Sequence, residues 1–375
     1  MYPRIRIVLL VLVAALGVPA SASAEVVLRR MVYGELTEDR FGGGLAPAGD
    51  ADGDGSPDFA IIANRGAHGQ SGPRDRYYVV SGSDLRLIRR IEAAAPFNEF
   101  HTVSAVGDWD DDGEDDLFVR EDGELSVRRG RTGERLHVFP SAEISHGERV
   151  VAVGDMNGDA VPDLAIGDWS AMNPDGVRTG RVDLISGADY TTIRTLYGER
   201  ADDEFGFGVG GGCDVNADGT SDVFVGAPGF DHSILGQTFD LLDAGKAYVY
   251  SGADGSLLHA SLGDWTDDGY SRAFSCVGDV EGDGVEDFMI GNPGFSFFPL
   301  FPDVTFQGSA RLYSGKTGAL LRGFTPNPEV DPVGGSYGGV IVALGDFDGA
   351  GEADVLIGAD GGPFEIRTAR EAPQS

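Results

Sequence analysis

The chain reads as an all-β protein, a β-propeller of four-stranded antiparallel blades, and three observations carry that reading. A short acidic phrase recurs six times, beginning at Asp50, Asp108, Asp155, Asp214, Asp279 and Asp346. The spacing of roughly 60 residues marks a repeat architecture. Each copy lies between a Gly-rich stretch and a wholly apolar run, as Phe205-Gly206-Phe207-Gly208-Val209 and Val223-Phe224-Val225 flank the fourth. The last repeat stops after its third strand, and the N-terminus carries a segment that matches the missing fourth.

Taken in order, residues 1–24 read as a signal peptide. Arg4 and Arg6 give a positive start, Ile7 to Val18 an apolar segment, and Ala22-Ser23-Ala24 a small-residue cleavage site. About a dozen apolar residues fall short of the ~20 that span a bilayer, and no later stretch is long enough. Residues 25–375 then form a single propeller domain, secreted to a periplasm or to the cell exterior, with no membrane insertion. The stretch Val27-Leu28-Arg29-Arg30-Met31-Val32-Tyr33-Gly34-Glu35 parallels Thr192-Ile193-Arg194-Thr195-Leu196-Tyr197-Gly198-Glu199. This first strand completes the last blade and closes the ring, which removes exposed edges. Six blades account for the repeats; the alternative of seven needs a further copy that the sequence does not show.

Within a repeat the Gly-rich strand leads into the acidic loop. A buried strand follows: Phe59-Ala60-Ile61-Ile62, Leu117-Phe118-Val119, Leu164-Ala165-Ile166, Val223-Phe224-Val225, Phe288-Met289-Ile290 or Val355-Leu356-Ile357. Short continuous apolar runs rich in branched and aromatic residues predict strands covered on both faces. A third strand ends in Ser-Gly, as in Tyr78-Val79-Val80-Ser81-Gly82 and Leu312-Tyr313-Ser314-Gly315, and a Gly-rich turn leads to a fourth. In the last repeat the third strand is Phe364-Glu365-Ile366-Arg367-Thr368, and nothing comparable follows it.

The acidic loops carry the most conspicuous chemistry. Counted from the first Asp, positions 1, 3, 5 and 9 are Asp50, Asp52, Asp54, Asp58; then Asp108, Asp110, Asp112, Asp116; then Asp155, Asn157, Asp159, Asp163. The fourth and fifth copies give Asp214, Asn216, Asp218, Asp222 and Asp279, Glu281, Asp283, Asp287. Position 7 adds a backbone carbonyl from Ser56, Glu114, Val161, Thr220 or Val285. Six to eight oxygens without nitrogen or sulfur suit Ca²⁺ ahead of Mg²⁺, which prefers to retain water. An EF-hand shares the opening but needs a Glu at position 12 and flanking helices; Ile61 stands there in the first loop, and strands flank every copy. The sixth copy, Asp346, Asp348, Ala350 and Asp354, has lost its position 5 ligand, so about five calcium sites and one degenerate site are expected. The stretch 264–269 resembles another loop but aligns with the inter-blade connection at 200–204.

The chain carries a formal charge of −33, with 61 Asp and Glu against 28 Lys and Arg. Such a surface repels nucleic acid and anionic membranes. Acids at fixed repeat positions in a chain that is 41% hydrophobic argue for a folded protein rather than a disordered one. Cys213 and Cys276 are its two cysteines. Export permits a disulfide between them, while strand stagger would hold them apart; the sequence leaves the pairing open.

These repeats resemble the FG-GAP repeats of the integrin α-subunit propeller and of its bacterial secreted relatives. Phe205-Gly206 with Gly226-Ala227-Pro228 reproduces the name-giving pair, and Phe41-Gly42 and Gly291-Asn292-Pro293 match it in part. The resemblance implies calcium in the loops between strands one and two, with ligands on the opposite face. Integrin propellers have seven blades, so six is a departure from that pattern.

Function is then expected in the variable connections between strands two and three, 65–76, 168–180, 229–246 and 294–309, since loops on a rigid scaffold commonly carry binding residues. The last holds Phe295, Phe297, Phe298, Phe301 and Phe306, an apolar patch able to dock a partner or a loop folded inward. Neither a nucleophile elbow, a phosphate loop nor a recurring His position appears, and His137 and His259, on outer strands, read as surface residues. The expectation is a non-catalytic interaction or adhesion scaffold for a protein at a cell surface. A lectin-like glycan binder is the alternative, and a carbohydrate-active enzyme a more distant one. Trp109, Trp169 and Trp265 occupy unrelated repeat positions, whereas a lectin propeller would repeat its aromatic in every pocket.

Overall fold

The structure, a computed structural model, describes residues 8–9, 30–31, 41–63, 76–92, 100–110, 112–121, 124–139, 149–233, 240–264, 269–294, 308–326, 337–346, 351–358 and 364–369. No helix occurs among them. Two short strands, β1 (Val8–Leu9) and β2 (Arg30–Met31), pair antiparallel. Blade 1 follows with β3 (Phe41–Gly49), β4 (Asp58–Ala63), β5 (Arg76–Val80) and β6 (Leu87–Glu92). Blade 2 has β7 (Phe100–Gly107), β8 (Asp116–Glu121), β9 (Glu124–Arg128) and β10 (Arg135–Val138). In blade 3 come β11 (Arg149–Gly154), β12 (Asp163–Asp168), β13 (Arg181–Ile185) and β14 (Thr192–Tyr197).

Blade 4 is made of β15 (Gly208–Cys213), β16 (Asp222–Ala227), β19 (Lys246–Tyr250) and β20 (Leu257–Leu262), with a small hairpin of β17 (His232–Ser233) and β18 (Asp240–Leu241) between its second and third strands. Blade 5 contains β21 (Ala273–Gly278), β22 (Asp287–Asn292), β23 (Ser309–Tyr313) and β24 (Leu320–Phe324). Blade 6 contributes β25 (Val340–Gly345), β26 (Asp354–Gly358) and β27 (Phe364–Thr368). Five sheets have four strands and the sixth has three, all antiparallel and in chain order. β2 lies beside β27, at the place of the absent fourth strand. The innermost strands touch around the circle, β3 to β7, β11, β15, β21 and β25, and β25 returns to β3. The ring is a six-bladed propeller.

Why the second strands are apolar without interruption follows from how the blades stack. Side chains alternate across a strand, and here both directions face another blade. Phe59, Ile61, Tyr78 and Val80 pack against Val340, Val342 and Leu356 of blade 6. Their neighbours Ala60, Ile62, Tyr77 and Val79 pack against Val103, Leu117 and Val119 of blade 2. The same alternation fills the other four gaps. Burying one such side chain contributes about 1.5–3 kcal/mol, while an exposed ion pair gives about 0–1 kcal/mol. Apolar stacking therefore holds the ring.

Two further links tie blades together. Cys213 and Cys276 form a disulfide between blades 4 and 5, with Cα atoms 5.7 Å apart. The stagger is absorbed by a register shift at the end of each inner strand, between Gly211 and Cys213 and between Cys276 and Gly278. His137 and His259 differ from the surface residues expected. His137 is half-buried at the blade 2–3 boundary, against Trp109 and Phe139, and hydrogen-bonded to the Tyr190 hydroxyl. His259 reaches the Gly315 carbonyl of blade 5. Outer strands still contact the adjacent blade, so the sequence position alone misleads.

Blade 2 also buries an ion pair: Arg128 donates to Glu121 at 2.8 Å, with side chains 7% and 3% exposed. Breaking such a pair strands a buried charge. Glu121→Ala is expected to cost about 3–5 kcal/mol in denaturant unfolding, whereas the double replacement of Glu121 and Arg128 by apolar residues recovers most of it.

Candidate metal centre

The acidic loops join the innermost strand of a blade to its second, and five share one hydrogen-bond pattern. The position 1 carboxylate folds back over its own loop. One oxygen accepts the position 5 N–H and the other the position 6 N–H, at 2.9 and 2.8 Å from Asp50, with matching bonds at Asp108, Asp155, Asp214 and Asp279. The position 5 carboxylate accepts the position 7 N–H, as Asp54 does from Ser56 at 2.9 Å; Asp112, Asp159, Asp218 and Asp283 repeat this. These bonds turn the loop's own N–H donors inward onto its carboxylates.

The tight turn requires left-handed backbone at positions 4 and 6. Gly53 and Gly55 have φ of 71° and 86°, a region open to glycine without steric cost. Loops 3 and 4 break the rule once each, with Ala160 at 67° and Ala217 at 57°, a conformation disfavoured for residues with a Cβ.

Position 9 is the keystone. Asp58, Asp116, Asp163, Asp222 and Asp287 are fully buried. One oxygen of each accepts the position 2 N–H, from Ala51, Trp109, Met156, Val215 or Val280, at 2.8–3.0 Å. The other accepts the N–H of the glycine that ends the third strand: Gly82, Gly130, Gly187, Gly252 or Gly315. Burial pushes Asp58 up to about 7 and Asp116 and Asp222 to about 6. A carboxylate so desolvated is relieved by a proton or by a cation. Near the surface, the Ser83 hydroxyl bond holds Asp54 below its usual value.

The recurring Ser-Gly was legible as a turn, but its part in the site was not. A Cβ on Gly82, Gly187, Gly252 or Gly315 would lie 1.8–2.0 Å from the position 8 carbonyl oxygen, and on Gly130 at 2.2 Å. The serine contributes as well: Ser186 and Ser251 reach Asp159 and Asp218 at 3.4 Å. Basic residues near this turn were also missed. Arg86 pairs with Asp52 at 2.8 Å, Lys316 with Asp283 at 3.5 Å, and Arg131 with Glu114. Arg131 and Lys316 directly follow the turn glycine, and Arg86 stands four residues beyond it. Adjacent loops are linked too, through Asp115 to the Asp50 N–H and Glu286 to the Asp214 N–H.

In loop 1, single oxygens of Asp50, Asp52 and Asp54 lie within 4.8 Å of one another. The donor set is all oxygen and mostly anionic, which fits a hard divalent cation. In loop 2 the convergent trio is Asp108, Asp110 and Asp116, without Asp112. The sixth loop keeps the Gly351 bond to Asp346 at 2.9 Å and a buried Asp354; Asp348 lies outside the described residues. So do Phe295, Phe297, Phe298, Phe301 and Phe306.

Two replacements separate these roles. Gly252→Ala places a methyl on the Ser221 carbonyl and is expected to cost about 1–3 kcal/mol and to weaken metal binding at loop 4. Ala160→Gly relieves left-handed strain and should stabilise by about 0.5–1 kcal/mol, read as a shifted denaturant midpoint.

Known proteins share these repeats. A family model described as FG-GAP-like repeat matches residues 108–166, and one described as FG-GAP repeat matches 205–250. Integrin alpha-5 of Xenopus laevis is 28% identical over 222 residues, covering 56% of this chain and 19% of that protein. Integrin alpha-E of Mus musculus is 31% identical over 185 residues, 47% of this chain and 15% of that protein. The chain thus spans about a fifth of the length of the curated relatives it matches. Among solved structures, that of BBS1N in complex with ARL6DN has a TM-score of 0.48 at 10% identity, over 88% of this chain and 93% of that one.

Proposed function

We propose that this integrin-α-like FG-GAP repeat chain is an exported, calcium-stabilised propeller that binds a protein partner and catalyses nothing. The observation that carries the reading is the shared pattern of the acidic loops, each closed on a buried position 9 carboxylate. Side-chain ligands would come from positions 1, 3, 5 and 9 and a backbone ligand from position 7. Calcium supplies the charge that the desolvated carboxylate lacks, so its part is structural. Acids held by their own loops are poorly placed as a general acid and base, which weighs against a hydrolase.

Likeness to integrin α subunits supports a protein partner at a cell surface. A lectin has less support. Trp109 packs with Phe118 and Phe139 between blades 2 and 3, and Trp169 stands near Phe207, so these two do not form a repeated sugar platform. An extracellular or periplasmic destination, after cleavage following Ala24, agrees with the disulfide.

Binding linkage sets the expected effect. A site whose Kd lies tenfold below ambient calcium adds about 1.4 kcal/mol. Several such sites should raise Tm by about 10 °C between EGTA and saturating calcium. Thermal unfolding of the mature chain across a calcium titration, with bound metal counted by native mass spectrometry, checks this. Absence of both bound metal and any Tm shift would remove the calcium reading.

A further inference from the structure

The second loop differs from its sisters in the residue that faces it. In blades 1, 3, 4 and 5 the third strand is followed by serine, at Ser81, Ser186, Ser251 and Ser314, and in blade 6 the position is Thr368; in blade 2 it is Arg129. Its guanidinium bonds the position 3 carboxylate of Asp110, lies 3.0 Å from the position 5 carboxylate of Asp112, and reaches Glu134 at 3.4 Å. The Arg129 side chain is 27% exposed, against 62% for Arg86 and 55% for Lys316. Those two residues each pair with one loop carboxylate, whereas Arg129 lies between two.

The convergence of acids changes accordingly. In loop 1 the position 5 carboxylate belongs to the convergent set; in loop 2 it does not, and Asp112 is turned to Arg129 instead. Loop 2 otherwise keeps the full backbone pattern, including both bonds to Asp108 and both to Asp116. The loop's own sequence differs as well, with Asp111 at position 4 where loop 1 has Gly53. The cation that Asp112 faces is Arg129.

We propose that Arg129 is a built-in cation that takes the place of calcium in the second loop, so that blade 2 closes without metal. The inference rests on calcium occupying the other complete loops. A guanidinium is planar, permanently charged and presents several N–H donors, so it satisfies two carboxylates at once and keeps doing so at any calcium concentration. A divalent ion entering this loop must first displace a tethered competitor and meet its positive charge.

Trp109, next in the chain to Asp108, makes the loop separately observable. Terbium bound there is sensitised by tryptophan, excited at the red edge of its absorption. In wild type the expectation is weak sensitised emission and about four calcium ions per chain. Arg129→Ser should raise emission several-fold and add one calcium, and adding Asp108→Asn to that variant should abolish both gains. Should Arg129→Ser fail to fold, Arg129→Gln keeps a polar stem without the charge, and Asp108→Asn in the wild-type background should leave the calcium count unchanged. The proposal is overturned if wild type already shows strong emission and a calcium that Asp108→Asn removes, or if neither Arg129 variant gains a site. A wild-type chain with no calcium in any loop would overturn the calcium reading itself, an outcome distinct from one extra occupied loop.

Discussion

Everything in this molecule turns on a carboxylate that never meets water. The position 9 aspartate sits at the first residue of each buried second strand and grips two backbone N–H groups, one from its own loop and one from the turn that ends the third strand. That turn lies 24 residues away in blade 1 and 30 in blade 4. A single side chain thus fixes where the loop stands relative to the sheet. An uncompensated buried charge is costly, so the same residue that organises the loop also creates its demand for a counter-ion.

Stability and cation binding are in this way separated in space yet coupled in energy. Apolar stacking between blades supplies most of the cohesion, and the loops line one face of the ring where inner strands end. The loops bring many carboxylates together in a chain already at −33. Like charges so gathered repel unless a cation lies among them. The protein's own basic groups approach the acids, Arg86 and Lys316 through one loop carboxylate each and Arg129 through two.

Much of this was legible in the sequence because repetition multiplies a weak signal. One acidic turn says little, but six at a common spacing set the number of blades, and the apolar runs locate β4, β8, β12, β16, β22 and β26. The third strand of the last blade, Phe364–Thr368, falls where its pattern placed it, and Arg30–Met31 lies within the segment read as the closing strand. What stayed hidden depends on contacts between distant residues. The pairing of Cys213 with Cys276 hinged on register shifts that spacing does not report. The half-buried state of His137 follows from the next blade's Tyr190. The placement of Arg129 has no local signal because its partners precede it by 17 and 19 residues, across two strands.

The alternation that sends Phe59 and Ile61 one way and Ala60 and Ile62 the other has a consequence for how the molecule comes apart. A linear stack of repeats frays from its ends, where a terminal unit has only one neighbour. Here every blade has two, because the innermost strands touch all the way round and β25 returns to β3. No unit is cheap to detach: the first opening must break a complete apolar interface while the blades on either side remain anchored by the remaining contacts. Once one gap opens, however, the ring becomes an array with two free ends. The circle therefore resists partial loosening and then yields as a whole, a mechanical threshold written into the parity of residues along one strand.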